Sequence, residues 1–301
     1  MDYNLIRQSL VADLQESSQA KSSHWRFHTQ SSTLSSDYRI SGINGFSNRT
    51  RRFPGSYILH KRNLKKLFPW AKKLIESKSF LAARKICHAQ RREVDSCVLR
   101  HVFTFDLLEK YSLISLRNVC VIGDGQANFV SIALSKKFSE KLISVNLTEV
   151  LLSDLDLIEK LKLVKADEVS FGRTFKEVQE FLNDDSKKLL LISAHNAGAL
   201  SKSGIDLFVN IASFQEMNQD LISNYFEIIE SNSAFLYCCN RIEKKLYGGE
   251  LNQFSNYPWG VAKIMLDESC RWHQEFYSLR SPLLYKKIPF DGEVWHRLVK
   301  F

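Results

Sequence analysis

Short apolar runs alternate with amphipathic stretches from about residue 112 onward, whereas the preceding part repeats apolar residues only at helical spacing. Apolar runs bounded by polar or turn residues predict strands near 118–122, 141–147, 188–194, 206–211, 233–239, 283–290 and 293–299. The amphipathic stretches predict helices over 126–138, 149–163, 174–183, 217–230 and 267–277. This rhythm is that of a parallel sheet with crossover helices. Asp291-Gly292 accepts a left-handed backbone, so the last two predicted strands are expected to form a hairpin and end the sheet in an antiparallel pair.

The first 111 residues read differently. Residues 3–15 predict a short amphipathic helix, and 41–55, with Gly42, Gly45, Pro54 and Gly55, an irregular loop. From Ser56 to Tyr111, Leu64, Leu67, Phe68, Ala71, Leu74 and Ile75 recur at three-to-four spacing between Lys and Arg, which predicts a basic helical cap. Pro69 suits the first turn of a new helix. We therefore expect a leader and basic cap over 1–111 and an α/β unit over 112–301.

Charge sharpens that division. Residues 1–110 carry 20 Lys and Arg against 9 Asp and Glu, and the remainder 22 against 24. The basic excess thus belongs to the N-terminal part, where it is either a solvated helical face or a surface for an anionic ligand. No apolar run approaches the ~18 residues of a membrane helix, so no transmembrane span is expected. The start of the chain lacks the charged, apolar and small-residue succession of a signal peptide, which points to the cytoplasm. Six Cys contain no C-x-x-C pair, so neither a disulfide framework nor a metal is assigned from their spacing.

Candidate chemistry clusters at the predicted strand ends. The run VCVIGDGQANF, 119–129, passes from an apolar strand through Gly123, Asp124 and Gly125 into a helix, which makes a tight turn with room for a ligand at the helix N-terminus. Asn128 stands where the dinucleotide fingerprint needs its third glycine, which disfavours pyrophosphate. The second strand ends in Asn146, where an acid would ordinarily hold ribose hydroxyls; an amide still bonds a hydroxyl but without charge. His195 and Asn196 follow the third strand, and Asn210, Ser213 and Glu216 follow the fourth. Glu216 suits either a base or a helix cap. On a helix over 267–277, His273 and Tyr277 would share one face, with His273 the stronger candidate for a base.

Read together, VIGDGQAN, SVNLTEVL, IDLFVNIASFQEMN with FLYCCNR, and NQFSNYPWG with DESCRWHQEFYSLRSP resemble the sugar O-methyltransferases, class I enzymes dependent on S-adenosylmethionine. SSHWRF also looks like an N-terminal Trp segment of that family. The resemblance covers roughly 118–301 and implies a Rossmann-like sheet with a terminal antiparallel pair. It implies Gly123, Asp124 and Gly125 at the cofactor's methionine end, Asn146 at its ribose, and His195 or Asn196 near its adenine. Asn210, Ser213 and Glu216 would line the floor near the methyl group, and His273 and Tyr277 would meet the acceptor. Val121 departs from the family's acidic residue before the first glycine, and Ala127 from the last glycine of the loop.

The implied activity is methyl transfer to a sugar hydroxyl, in which the protein aligns oxygen, methyl and sulfur and removes one proton. The implied acceptor is sugar-containing and, given the basic cap, nucleotide- or lipid-pyrophosphate-linked. No metal is assigned, since the adjacent Asp267 and Glu268 would diverge on a helix. Nucleic acid is not expected as a partner, because no RNA-binding module or base-methylation motif is present and the α/β part is slightly acidic. A homo-oligomer is compatible with the sequence. The rival readings are a scaffold that has lost cofactor binding and a nucleic-acid methyltransferase.

Overall fold

The computed structural model describes residues 2–17, 21–43, 56–113, 116–273, 275–281 and 284–301. Its centre is an eight-stranded sheet of β1 (Asn118–Ile122), β2 (Lys141–Asn146), β3 (Val169–Phe171), β4 (Leu189–Ser193), β5 (Leu207–Ile211), β6 (Phe235–Arg241), β7 (Lys263–Ser269) and β10 (Val294–Lys300). The spatial order is β7-β10-β6-β5-β1-β2-β4-β3. The first six run parallel, and β10 lies antiparallel between β6 and β7. This is the expected Rossmann-like α/β class with an antiparallel end.

Inner strands are buried on both faces, which is why they read as unbroken apolar runs. On one face, Val119, Val121, Val209 and Tyr237 pack with helices α4 (Lys78–Ala89), α5 (Ser96–Lys110), α6 (Asn128–Lys136) and α7 (Thr148–Leu161). On the other, Cys120, Ile143 and Phe208 pack with α8 (Phe175–Asn183) and α9 (Gln219–Ser231). The basic cap, which opens with α3 (Ser56–Leu67), therefore shares its core with the sheet: Phe105 of α5 stacks on Phe129 of α6 at 4.2 Å between ring centres. Among the described residues, no helix is long and apolar enough to cross a membrane.

The predicted C-terminal hairpin does not form. Gly292 does take a left-handed φ of 89°, but the strands around it part company. β9 (Leu284–Pro289) pairs with β8 (Glu275–Ser281) in a separate ribbon, and β10 goes to β6 and β7. The reason is burial: Val294, His296, Leu298 and Val299 are enclosed only in the seven-residue ladder with β6. The predicted helix over 267–277 is likewise replaced by the end of β7, a turn at 271–273 and the start of β8. β7 is an almost wholly exposed edge strand, so its sequence lacks the apolar alternation that marks a strand. It is held by cross-strand pairs, Asp267 accepting from Arg297 Nε and Nη2 at 2.9 Å each. Of the loop expected over 41–55, residues 44–55 lie outside the described residues.

The leader docks on the sheet's cover. Helix α1 (Tyr3–Ala12) places Ile6 and Leu10 in the core, and its buried Arg7 pairs with Asp156 at 2.7 Å and with Glu159. Tyr3 donates its hydroxyl to the Val164 carbonyl at 2.6 Å. The aromatic packing that binds the cap to the sheet predicts that Phe129→Ala lowers stability by about 3–5 kcal/mol in urea denaturation; a loss under ~1 kcal/mol would contradict that packing.

Candidate active site

At β1 the strand order reverses, since β2 lies on one side and β5 on the other, and such a switch point opens a crevice beyond the strand ends. Gly123 follows β1 with φ 70° and donates its N–H to the Val145 carbonyl at 2.8 Å. A Cβ on Gly123 would stand 1.8 Å from Ser213 Oγ, so the approach of the β5 loop admits glycine alone. Asp124 turns inward: Oδ2 accepts from the Val130 N–H at 2.7 Å, and its carbonyl accepts from Asn146 Nδ2 at 3.2 Å. Burial pushes its carboxyl up to about 6, although N–H donors at the start of α6 pull the other way. Gln126 and Ala127 both have left-handed φ, 64° and 47°. That conformation costs an L-residue about 1–2 kcal/mol, so the loop is strained at Gln126 and Ala127.

The predicted polar residues do converge on this edge, but most are bonded within the protein. Asn146 Oδ1 accepts from the Leu147 N–H at 2.9 Å. Asn210, fully buried, donates to the Ile122 carbonyl at 3.2 Å and accepts from the Phe214 N–H at 3.1 Å and Asn240 Nδ2 at 2.8 Å. Asn240 Oδ1 in turn accepts from the Gln215 N–H at 3.1 Å, and Asn252 donates to the Phe214 and Met217 carbonyls. This ladder of amides fixes the loop that carries Ser213 and Glu216. Glu216 lies 2.8 Å from Lys244 Nζ and 3.5 Å from His24 Nε2.

The leader supplies the remaining wall. Ser22 caps α2 (Ser23–Thr29) by accepting from the Trp25 N–H and donates its hydroxyl to the Glu216 carbonyl. Lys21 pairs with Glu149. Asp13 accepts from Arg173 Nε at 2.5 Å and from Asn196 Nδ2 at 3.0 Å, with His195 Nε2 at 3.5 Å. His195 and Asn196 are thus anchored to the leader. His24 stacks on Tyr247 at 5.3 Å between ring centres. Ser22, Trp25, Gly123, Asn146, Ser213 and Tyr225 line the cleft that remains, which has a volume of about 40 Å³. That is room for a water or two, against ~300–1,000 Å³ in ordinary small-molecule sites.

In kind, the groups fit an adenosine-containing cofactor: a glycine turn at a helix start, an amide and a hydroxyl at neighbouring strand ends, and an apolar wall. In volume the cleft as it stands is too small for it, and Ser22 and Trp25 are the leader's share of its wall. Asp124, which the sequence assigns to the cofactor, faces the start of α6 with its bonded oxygen. The backbone of Tyr277 lies in β8, and His273 lies in the turn after β7, 4% exposed, so the two do not share a helix face. His273 Nδ1 is 3.3 Å from Cys239 Sγ and Nε2 is 3.2 Å from Arg100 Nη1; burial, first, holds its pKa below the ordinary value. It is enclosed rather than presented to the cleft.

Sequence reasoning missed Ser22 and Trp25 as cleft residues, and His24 as a neighbour of Glu216. Their signal was the SSHWRF segment, which stood out by its resemblance alone and carries no periodicity that predicts an element. Asn240 and Asn252 were also missed, because a polar residue ending an apolar strand does not reveal which loop it will hold.

No family model matches the chain. No curated protein matches it either. Among solved structures, it is similar to magnesium protoporphyrin IX methyltransferase from Synechocystis with bound SAM, at 9% identity and a TM-score of 0.38, over 68% of this chain and 80% of that one. A SAM-dependent methyltransferase from Archaeoglobus fulgidus gives 12% identity and a TM-score of 0.38, over 67% and 94%. Likeness at this level carries no argument about activity or substrate.

The buried His24 makes leader docking sensitive to acid. Burial, first, lowers its pKa from 6.5 to about 4 against the pull of Glu216. A leader released from this packing would bind a proton that the docked one does not, so docking is independent of His24 above pH 6.5 and weakens as pH falls toward 4. We expect the docking constant to drop about tenfold per pH unit in that window, read by proteolysis at residues 21–30. His24→Phe should flatten the profile; an unchanged acid response in that variant would remove His24 as its cause.

Proposed function

We propose that this chain is an S-adenosylmethionine-dependent O-methyltransferase whose cofactor occupies the crevice beyond β1, β2 and β5 after the leader helix α2 has withdrawn. The observation that carries the reading is the glycine-only contact of Gly123 with Ser213 at the switch point, with Asn146 and Tyr225 on either side. The cofactor supplies an activated methyl on a sulfonium. Gly123 and Gly125 would border its methionine end, Asn146 its ribose, and His195 or Asn196 its adenine. Ser213 and the Asn210 scaffold would form the floor.

For the acceptor we propose a sugar hydroxyl, a reading supported by the resemblance of the four stretches. A hydroxyl needs a proton acceptor at hydrogen-bond distance. Glu216 fits that task best, being partly exposed, close in sequence to the cleft-lining Ser213 and Met217, and facing His24 and Lys244 rather than an enclosed core. The groove of about 730 Å³ beside Lys61, Arg62, Lys65, Lys66 and Lys72 supports an anionic carrier on the acceptor, such as a nucleotide or lipid pyrophosphate. A cytoplasmic setting accords with such a precursor.

The internally bonded Asn146 and the narrow cleft favour one alternative, a scaffold that no longer binds the cofactor. Calorimetric titration separates the two. With S-adenosylmethionine and S-adenosylhomocysteine we expect micromolar binding, and about tenfold tighter binding in Trp25→Ala, because the leader competes for the cleft. Folded protein that binds neither ligand, as wild type or as Trp25→Ala, would establish the scaffold reading. For the acceptor, the Michaelis constant of a pyrophosphate-linked sugar should rise several-fold between ~50 and ~200 mM salt; a flat response would detach the basic groove from substrate binding.

A further inference from the structure

Beneath the sheet's carboxyl edge, away from the residues of the cleft, three metal-type donors meet. Cys239 Sγ, Cys270 Sγ and a ring nitrogen of His273 all lie within 4.8 Å of one another, with Nδ1 3.3 Å from Cys239 Sγ, and all three residues are buried. They come from two places in the chain. Cys239 is near the end of β6, while Cys270 and His273 sit in the turn after β7 in a C-x-x-H arrangement. That turn is closed by the His273 N–H on the Cys270 carbonyl at 3.1 Å and tied to β10 by the Cys270 N–H on the Val294 carbonyl at 2.8 Å. Backbone bonds thus hold both of its donors toward the sheet, where Cys239 meets them.

We propose that Cys239, Cys270 and His273 bind one zinc-class divalent ion. Two sulfurs and one imidazole are the donors that such an ion takes in tetrahedral sites, with a fourth position completed by water or a further side chain. At Zn–S ≈ 2.3 Å and Zn–N ≈ 2.0–2.1 Å, tetrahedral angles put sulfur and nitrogen about 3.6 Å apart. The 3.3 Å between Cys239 Sγ and His273 Nδ1 needs only a small expansion to reach that spacing. Two thiolates and a divalent ion sum to zero charge, which suits an enclosed site better than a lone buried thiolate does. His296, 1% exposed, lies directly opposite Cys239 in the β6–β10 ladder, with its Nδ1 3.1 Å from the Tyr237 hydroxyl.

One neighbour must respond. With the ion on Nδ1, the imidazole proton resides on Nε2, and Arg100 Nη1 at 3.2 Å can no longer donate there. Two buried atoms nearby have no hydrogen-bond partner, Arg100 Nε and Asp124 Oδ1, and the Arg100 charge already acts on Asp124. Arg100 turning to Asp124 would satisfy both. Ion binding would then be felt at the glycine turn of the candidate active site.

The test uses the full-length chain and the metal alone. Protein purified under reducing conditions without chelator should carry about one zinc per chain by elemental mass spectrometry. After stripping, Co²⁺ should bind one to one, with thiolate-to-cobalt charge-transfer absorption and the visible bands of a tetrahedral site. Cys270→Ser and His273→Gln should each lose that spectrum while keeping the wild-type circular dichroism. The wild-type titration decides the matter even if a variant fails to fold. No zinc together with no cobalt spectrum in folded, reduced wild-type protein overturns the proposal, as does a Cys239–Cys270 disulfide in that preparation.

Discussion

The contact between Ser213 and the Gly123 backbone is the constraint on which the rest of this molecule turns. A strand order that reverses at β1 brings the loops after β1 and β5 together, and they meet so closely that a single Cβ would be 1.8 Å from a hydroxyl oxygen. Glycine at 123 is therefore a condition for closing the sheet as much as for binding anything. The amide ladder of Asn210, Asn240 and Asn252 exists to hold the β5 loop in that position, since each side chain bonds backbone groups that the strand ends leave open. The same loop carries Glu216 to His24 and Lys244.

The same economy explains why the crevice is narrow. Polar groups exposed at strand ends need partners, and in this conformation the leader provides many of them. Asp13 meets Asn196, His195 and Arg173, Lys21 meets Glu149, and Ser22 meets the Glu216 carbonyl. A ligand that enters must replace those bonds, so its affinity is set against leader docking rather than against water alone. The leader is thus packed against the candidate site, although its sequence carries one of the weakest patterns.

The parallel strands and their crossover helices were legible because burial on both faces leaves an unbroken apolar signature, as at Val119–Ile122 and Leu189–Ile192. The turn at Gly123 was legible because an apolar strand running into Gly-Asp-Gly and then a helix pattern marks a strand-to-helix turn. The C-terminal ribbon was not. Lys263–Ser269 is exposed along nearly its whole length and is stabilised by cross-strand partners such as Arg297, which lie far off in sequence. Its aromatic, acidic and imidazole residues accordingly read as one face of a helix, and His273 and Tyr277 were joined on a surface that does not exist. Long-range pairing likewise hid the meeting of Cys239 with Cys270 and His273, because a C-x-x-H turn supplies only two of the three donors.

Hydrogen–deuterium exchange across residues 21–30, with and without saturating S-adenosylhomocysteine, tests the central claim that the leader occupies the cofactor's place. The ligand is expected to speed exchange in α2 while slowing it at Gly123–Asn128 and Asn146. Ligand binding that protects the cleft and leaves α2 unchanged or further protected would contradict it.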